Sequence, residues 1–127
     1  GGVIVPKLHA GRDALVGIAL FLTLLAKKKK SVSELRREYP VYYMSKQRAD
    51  LPEETDTKAL FARIAERFAS DHPNTIDGVK IDFPSSWVHM RASNTEPIVR
   101  IYTEAPTEEE ANSLGEKFCN IVLEMLR

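Results

Sequence analysis

Hydrogen-bond donors are concentrated in one segment of the chain, Arg91–Pro97, whose sequence is Arg-Ala-Ser-Asn-Thr-Glu-Pro. The segment contains a guanidinium, two hydroxyls and an amide, and the backbone N–H groups of a tight loop can converge on one anion. A phosphate monoester presents three oxygens that need several donors at once, so this composition fits a phosphate site. It fits equally a polar turn in which Ser93 and Asn94 bond their own backbone.

Two residues at the end of this segment constrain how it binds. Pro97 has a fixed backbone φ angle and therefore defines the exit of the loop. Glu96, when ionised, only accepts hydrogen bonds and would repel a phosphate if it pointed inward. We therefore expect Glu96 to face outward or to hold Arg91 or Arg100 in place.

The other groups with chemical potential are predicted to be structural. Asp77-Gly78 is a turn signal that implies no cofactor. Trp87 and Tyr102 lie in alternating segments and are expected in the core or on a half-exposed sheet surface. No cysteine or second histidine lies at zinc-ligand spacing from any of the three histidines, His9, His72 and His89.

The single cysteine, Cys119, cannot form an internal disulfide. It stands between Phe118 and Ile121 in a predicted helix, where a small buried hydrophobic residue is expected. We therefore predict packing rather than reactivity. A lone unpaired cysteine also fits a reducing compartment, the cytoplasm.

Composition excludes several classes of protein. The 127 residues carry 18 basic and 18 acidic side chains, so a generic binder of nucleic acid or of membrane surfaces is not expected. The longest apolar run, Ala14–Ala26, is shorter than the roughly 18 residues needed to cross a bilayer. It therefore predicts a core helix rather than a membrane span, and 43% hydrophobic residues suffice for a real core.

The first 40 residues are predicted to form a helical remnant. Val3–Val5 indicates a short strand stopped at Pro6, and a helix is expected from about Arg12 to Lys28 with apolar residues on nearly all sides. No neighbouring segment supplies enough surface to cover that helix. A start without an initiator methionine or a signal sequence likewise suggests a cut inside a longer protein.

A second short helix is predicted just before a domain boundary. Ser31 and Glu34 have the spacing of a capping box, so we expect a helix to about Glu38, and Pro40 is taken as the boundary. The basic run Lys27–Lys30 is favourable at the end of the preceding helix, followed by a solvated linker, and a role in steering phosphate is the alternative.

Residues 41–127 are predicted to form a complete α+β domain of two layers, a mainly antiparallel four-stranded sheet and two helices. Apolar residues alternate in the expected strands and recur at helical spacing in the expected helices. The strands are predicted over Val41–Arg48, Val79–Phe83, Trp87–Arg91 and Ile98–Glu104. The helices are predicted from Thr55 or Asp56 to about Ser70, and from Pro106-Thr107 through Met125.

Several stretches resemble one enzyme family. Trp87–Tyr102 closely resembles the phosphate-binding loop and flanking strands of the α-D-phosphohexomutase family, which includes phosphomannomutase/phosphoglucomutase and phosphoglucosamine mutase. Asp77–Phe83 is also similar, as is the opening from Gly1-Gly2-Val3-Ile4 through Asp13-Ala14-Leu15. Ala92 departs from the proline of many relatives, which should loosen the loop slightly without removing a donor.

The resemblance implies a parent enzyme of four domains that moves a phosphoryl group between the 1- and 6-hydroxyls of a hexose through a phosphoserine and a bound Mg²⁺. Residues 1–40 would be the end of the third, sugar-reading domain, with Gly1-Gly2 at the tail of its loop. Residues 41–127 would be the fourth domain, with a TBP-like fold. No serine of this chain lies in the nucleophile motif and no aspartates have metal-ligand spacing, so no catalytic residue, no metal ligand and no activity of the chain alone are expected.

Under the same resemblance, Arg91, Ser93, Asn94 and Thr95 would bind the substrate phosphate, with Arg100 as a second cation. The partners implied are a phosphorylated hexose, of mannose, glucose or glucosamine, and the remaining domains of the parent. Self-association through Ala14–Ala26 is a further expectation. A free-standing, non-catalytic anion-binding module is the alternative, and the uncovered apolar helix argues against it.

Overall fold

The structure is a computed structural model that describes residues 2–126. Gly1 and Arg127 lie outside the described residues, and with them the Gly1 part of the predicted sugar-loop tail. The chain divides into two compact units, Gly1–Pro40 and Val41–Arg127.

The first unit contains helices α1 (Ala14–Lys28) and α2 (Val32–Glu38). Helix α1 begins two residues later than predicted, because the Asp13 carboxylate accepts a hydrogen bond from Val16 N at 3.0 Å and thereby caps the helix. The predicted strand Val3–Val5 was wrong. Val5 makes only an isolated bridge to His9, since the chain turns back on itself at Pro6 and supplies no partner strand.

The ends of both helices follow from their side chains. Lys27 and Lys28 lie in the last turn of α1, and Lys29 ends the helix in the left-handed conformation with φ of 52°. The capping box predicted for α2 is present: Glu34 N donates to Ser31 Oγ, and Ser31 N donates to the Glu34 carboxylate at 2.7 Å. Hydrogen bonds from Ser31 lower the pKa of Glu34 below its usual value.

Helix α1 buries none of its side chains. The prediction that residues 1–40 cannot cover this helix is confirmed for the described part of the chain. Its large exposed apolar residues are Leu15, Ile18, Leu20, Phe21 and Leu22.

The second unit is an α+β domain of two layers, as predicted. Four strands form one antiparallel sheet in the order β1-β4-β3-β2, with β3 and β4 in its centre. A one-turn 3-10 helix, Ala69–Asp71, follows the first helix of the unit. The elements are β1 (Tyr43–Asp50), α3 (Thr57–Arg67), β2 (Val79–Asp82), β3 (Trp87–Ala92), β4 (Ile98–Ala105) and α4 (Glu108–Glu124).

Several predicted bounds were displaced. Strand β1 lies two residues later than Val41–Arg48, because its pairing with β4 continues to Asp50 opposite Ile98. Of the two candidate caps of α3, Asp56 is the actual one, accepting from the N–H groups of Lys58 and Ala59. Strand β2 ends at Asp82 rather than at Phe83, and α3 ends at Arg67 rather than near Ser70.

One face of the sheet carries the core and the other is open. Alternate strand residues such as Val88, Met90 and Ile101 are buried and pack with Phe118 of α4 and Ile64 of α3. The side chains between them, which include the arginines and half-buried tyrosine discussed below, line the opposite face. The helices thus cover one face and leave the other face of this unit available for chemistry.

Candidate anion-binding site

The donor-rich segment forms a five-residue connection, residues 93–97, between the two central strands β3 and β4. Ser93 N donates to Ile98 O at 3.0 Å, and Ile98 N donates to Glu96 O at 2.8 Å. Leu51 N donates to Pro97 O at 2.8 Å, which ties the loop to the end of β1. The loop therefore stands on a fixed frame even though its polar side chains face outward.

The two hydroxyls of the loop lie side by side. Ser93 Oγ is 3.4 Å from Thr95 Oγ1, and Thr95 N donates to Ser93 Oγ at 3.4 Å. Both distances exceed those of strong hydrogen bonds, so the hydroxyls can reorient toward a ligand. Ser93 is half-buried, and Asn94 and Thr95 are exposed. The loop thus has the local bond of a polar turn and still presents donors to solvent.

Arg91 stands at the entrance to the loop, where its Nε is 2.9 Å from the carboxylate of Asp77. Asp77 belongs to the turn before β2, and sequence analysis had assigned it to a turn without a chemical role. The pairing of Val79 with Met90, continued outward, places residue 77 beside the end of β3. That register, rather than any local motif, is the signal that could have identified Asp77.

Arg100 leaves the loop on β4 and pairs directly with Arg91 across the two strands. Its Nη2 is 3.1 Å from the carboxylate of Glu96, so the expectation that Glu96 holds one of the two arginines is confirmed. Arg48 of β1, which sequence analysis did not single out, lies opposite Arg100 in turn. Three arginines therefore form one row across the open face beside the loop.

A cleft of about 360 Å³ lies between the loop and the segment that connects β1 to α3. Its walls combine hydroxyl, amide and carboxylate groups with a few apolar side chains. The lining residues include Glu53, Thr55, Thr57, Ser93, Asn94 and Thr95. Three of the residues predicted to bind phosphate therefore share one cleft, while Arg91 and Arg100 lie on the open face of the sheet.

The remaining candidate groups take structural positions. Cys119 packs against the core as predicted, its Sγ is 3.4 Å from Gln47 Oε1, and burial raises the pKa of its thiol. Trp87 and Tyr102 are half-buried, and Trp87 Nε1 donates to Glu104 at 3.1 Å. His89 contacts the carbonyl of Asp77 through Nε2 at 2.7 Å.

Within residues 2–126, no group of three or more histidine, cysteine, aspartate or glutamate side chains is placed to hold a metal ion. Over the same residues, none of the helices combines the length and the apolar character that a membrane span requires.

Comparison with known proteins identifies relatives of the chain. Residues 47–121 match the sequence model of the phosphoglucomutase/phosphomannomutase C-terminal domain. The chain is 40% identical over 129 residues to a phosphoglucomutase/phosphomannomutase of Thermococcus kodakarensis, a match that covers 100% of the chain and 28% of that protein.

Two further relatives carry other substrate names. A probable phosphoglucosamine mutase of Methanopyrus kandleri is 34% identical, and a phosphoglucosamine/phosphogalactosamine mutase of Sulfurisphaera tokodaii is 37% identical. Each match covers 96% of the chain and 27% of the relative, so the chain spans little more than a quarter of these proteins. The resemblance inferred from the sequence is confirmed, and the chain belongs to the phosphoglucomutase/phosphomannomutase family through its C-terminal domain.

Proposed function

We propose that this chain is the part of a phosphohexomutase that holds the phosphate of its substrate while the parent enzyme interconverts hexose 1-phosphate and hexose 6-phosphate. The observation that carries the proposal is the loop itself. Two hydroxyls 3.4 Å apart stand on a frame fixed between the central strands, with Arg91 at the entrance. These residues lie within residues 47–121, the range that matches the C-terminal domain of the family.

The proposed role is binding and orientation rather than phosphoryl transfer. Arg91 supplies a permanent positive charge, and Ser93, Asn94 and Thr95 supply neutral donors to the other phosphate oxygens. A charge-assisted hydrogen bond contributes about 1.5–3 kcal/mol, or roughly ten- to a hundredfold in affinity. Arg100, held by Glu96, adds a second cation at the loop exit.

Specificity is divided between this chain and the rest of the parent. Mannose, glucose and glucosamine phosphates share the phosphate group, so we assign phosphate recognition to this loop and hexose recognition to the remaining domains. Any Mg²⁺ would likewise belong to those domains. The single packed cysteine supports a reducing compartment, which for this enzyme we take to be the cytoplasm.

Two assays test the division of labour. The purified chain, supplied with Mg²⁺ and a bisphosphorylated hexose activator, should show no mutase turnover, because the metal site that stabilises developing charge and the phosphoserine that transfers the phosphoryl group would be missing. The full-length parent should convert at least one of the three hexose 1-phosphates. Turnover by the chain alone would contradict the proposal that it only binds.

A substitution tests the loop within the parent enzyme. Arg91→Ala should lower kcat/KM by about ten- to a hundredfold, the range expected when one charge-assisted bond is lost. Arg67→Ala is the matched control, because Arg67 is also an exposed arginine in an ion pair but lies on α3. Wild-type kcat/KM in the Arg91→Ala enzyme would remove Arg91 from the site.

A further inference from the structure

The guanidinium of Arg91 is held by a residue outside the phosphate loop. Asp77 forms an ion pair with Arg91, in which the carboxylate lies 2.9 Å from Nε, while the carboxylate inside the loop, Glu96, binds Arg100 instead. We propose that Asp77 is a positioning residue that fixes the direction in which Arg91 presents its terminal nitrogens. This proposal rests on the proposed function, because it concerns how the phosphate-binding arginine is oriented.

The backbone of Asp77 is fixed from three sides. Asn74 and Lys80 exchange two backbone hydrogen bonds at 2.8 and 2.9 Å across the turn. His89 Nε2 contacts the carbonyl of Asp77 at 2.7 Å. Gly78 has a φ of +75°, and a Cβ there would lie 2.0 Å from the Met90 carbonyl oxygen, so the turn is pressed against β3. The carboxylate of Asp77 is therefore attached to a backbone whose position is fixed.

Two side chains of β3 contact Asp77 on the open face of the sheet. His89 and Arg91 are two positions apart on the same strand and therefore project to the same side of the sheet. One contacts the carbonyl of Asp77 and the other contacts its carboxylate. These two contacts link the turn that contains Asp77 to β3. They therefore define the position of the Arg91 guanidinium relative to the strand that leads into the loop.

The geometry of the guanidinium explains why this contact orients rather than blocks. Its five N–H groups form a planar fork, and the contact with Asp77 is made at Nε, which leaves the edge formed by the two terminal nitrogens for a ligand. That edge can bind two oxygens of one phosphate. Both partners are exposed, 47% for Arg91 and 63% for Asp77, so the pair contributes little to folding stability.

A titration of the full 127-residue chain with inorganic phosphate tests the proposal. NMR would follow the backbone amides of residues 93–95 and the Nε–Hε signal of Arg91, and Asp77→Asn would be compared with Asp82→Asn. Asp82 is the matched control, because it is an exposed carboxylate paired with Lys80 on the same sheet but away from Arg91. Both substitutions remove one negative charge, and simple electrostatics would make each bind phosphate slightly more tightly.

Positioning predicts the opposite for Asp77 alone. The Kd of the Asp77→Asn chain for phosphate should rise about three- to tenfold, because phosphate must then order the long side chain of Arg91 itself. Without phosphate, the Arg91 Nε–Hε signal should differ from that of the wild-type chain in Asp77→Asn and be unchanged in Asp82→Asn. The midpoint of thermal unfolding should be the same in the wild-type chain and both variants. Asp77→Glu should recover part of the affinity.

Two results would overturn the inference in distinguishable ways. Binding that is lost in Arg91→Ala but is unchanged or tighter in Asp77→Asn would show that Asp77 does not position the arginine, with the proposed function intact. If the loop amides of the wild-type chain did not shift anywhere in the phosphate titration, both the proposed function and this inference would be overturned.

Discussion

Each arginine of the row on the open face has a carboxylate of its own. Arg91 is paired with Asp77 at 2.9 Å and Arg100 with Glu96 at 3.1 Å, while the third, Arg48, lies 3.7 Å from Asp50. Like charges directly opposite one another in a sheet are destabilising, and these carboxylates offset that repulsion. An incoming phosphate therefore shares guanidinium groups that already have partners.

Gly78 is the residue whose replacement should be most costly in this region. Its φ of +75° disfavours any side chain, and an added Cβ would collide with the Met90 carbonyl oxygen. Gly78→Ala should lower the free energy of unfolding by at least about 1–3 kcal/mol, the usual cost of such a conformation. Urea unfolding followed by circular dichroism measures the change.

Gly115→Ala provides the contrast for that experiment. The nearest atoms to a Cβ at Gly115 belong to the end of the Gln47 side chain, which can move, and alanine favours the helix. The loss should therefore be clearly smaller than for Gly78→Ala. Equal losses in the two variants would show that the turn before β2 is not pressed against β3.

At the scale of single residues, composition and the family resemblance identified the loop donors, and a partner for Glu96 was anticipated. Glu96 and Arg100 are only four positions apart, so local sequence contained that pair. Asp77 and Arg91 are separated by a strand and a turn. Their contact depends on the register of β2 against β3. Alternation of apolar residues excludes a slip of one residue but does not by itself choose between registers that differ by two.

The sequence predicted the helices and strands more accurately than it predicted individual side-chain contacts. Alternation in Val79–Phe83 and Ile98–Glu104 predicted strands within one residue of their actual ends, and helical spacing predicted α3 and α4. The bounds of β1 were missed because Val41 and Tyr42 favour strand conformation as strongly as the residues that follow. Pairing with β4, a long-range interaction, decides where β1 begins and ends.

Helix α4 should be the element that most stabilises the sheet. Phe118 is fully buried, and its ring centroid lies 5.2 Å from that of Phe68 and 6.4 Å from that of Phe83. Phe118→Ala should lower the free energy of unfolding by about 3–5 kcal/mol, as is usual for a buried aromatic residue. Chemical denaturation of the chain measures this loss.

Leu123 is the control on the same helix, because its side chain is 43% exposed. Leu123→Ala should change the free energy of unfolding by much less, since little apolar surface is withdrawn from water there. A similar loss in both variants would mean that α4 is not held to the sheet through Phe118.

At the level of the whole chain, the two compact units correspond to different parts of the proposed parent enzyme. We propose that residues 1–40 are the end of a sugar-reading third domain and that residues 41–127 form the phosphate-binding domain. Support comes from the division of the chain at Pro40 and from α1, whose apolar side chains are exposed. Each large apolar side chain left in water forfeits roughly 1.5–3 kcal/mol, so α1 is suited to another part of the parent or to a second copy.

Residues 41–127 should fold without the first unit. The shortened chain should unfold in one cooperative transition and sediment as a monomer, because its core is contributed by its own sheet and helices. The 127-residue chain should associate at higher concentration through α1. If the shortened chain were unfolded while the 127-residue chain remained a stable monomer, the proposed boundary would be wrong.

The strand order has a consequence for the nascent chain. Strands β2, β3 and β4 are joined by short connections, whereas β1 pairs only with β4 and must wait until the whole meander has been synthesised. At about 5–20 residues per second, β1 leaves the ribosome several seconds before its partner exists. The charges of Lys46, Arg48 and Asp50, which border the open face in the folded domain, would protect that unpaired strand from aggregation.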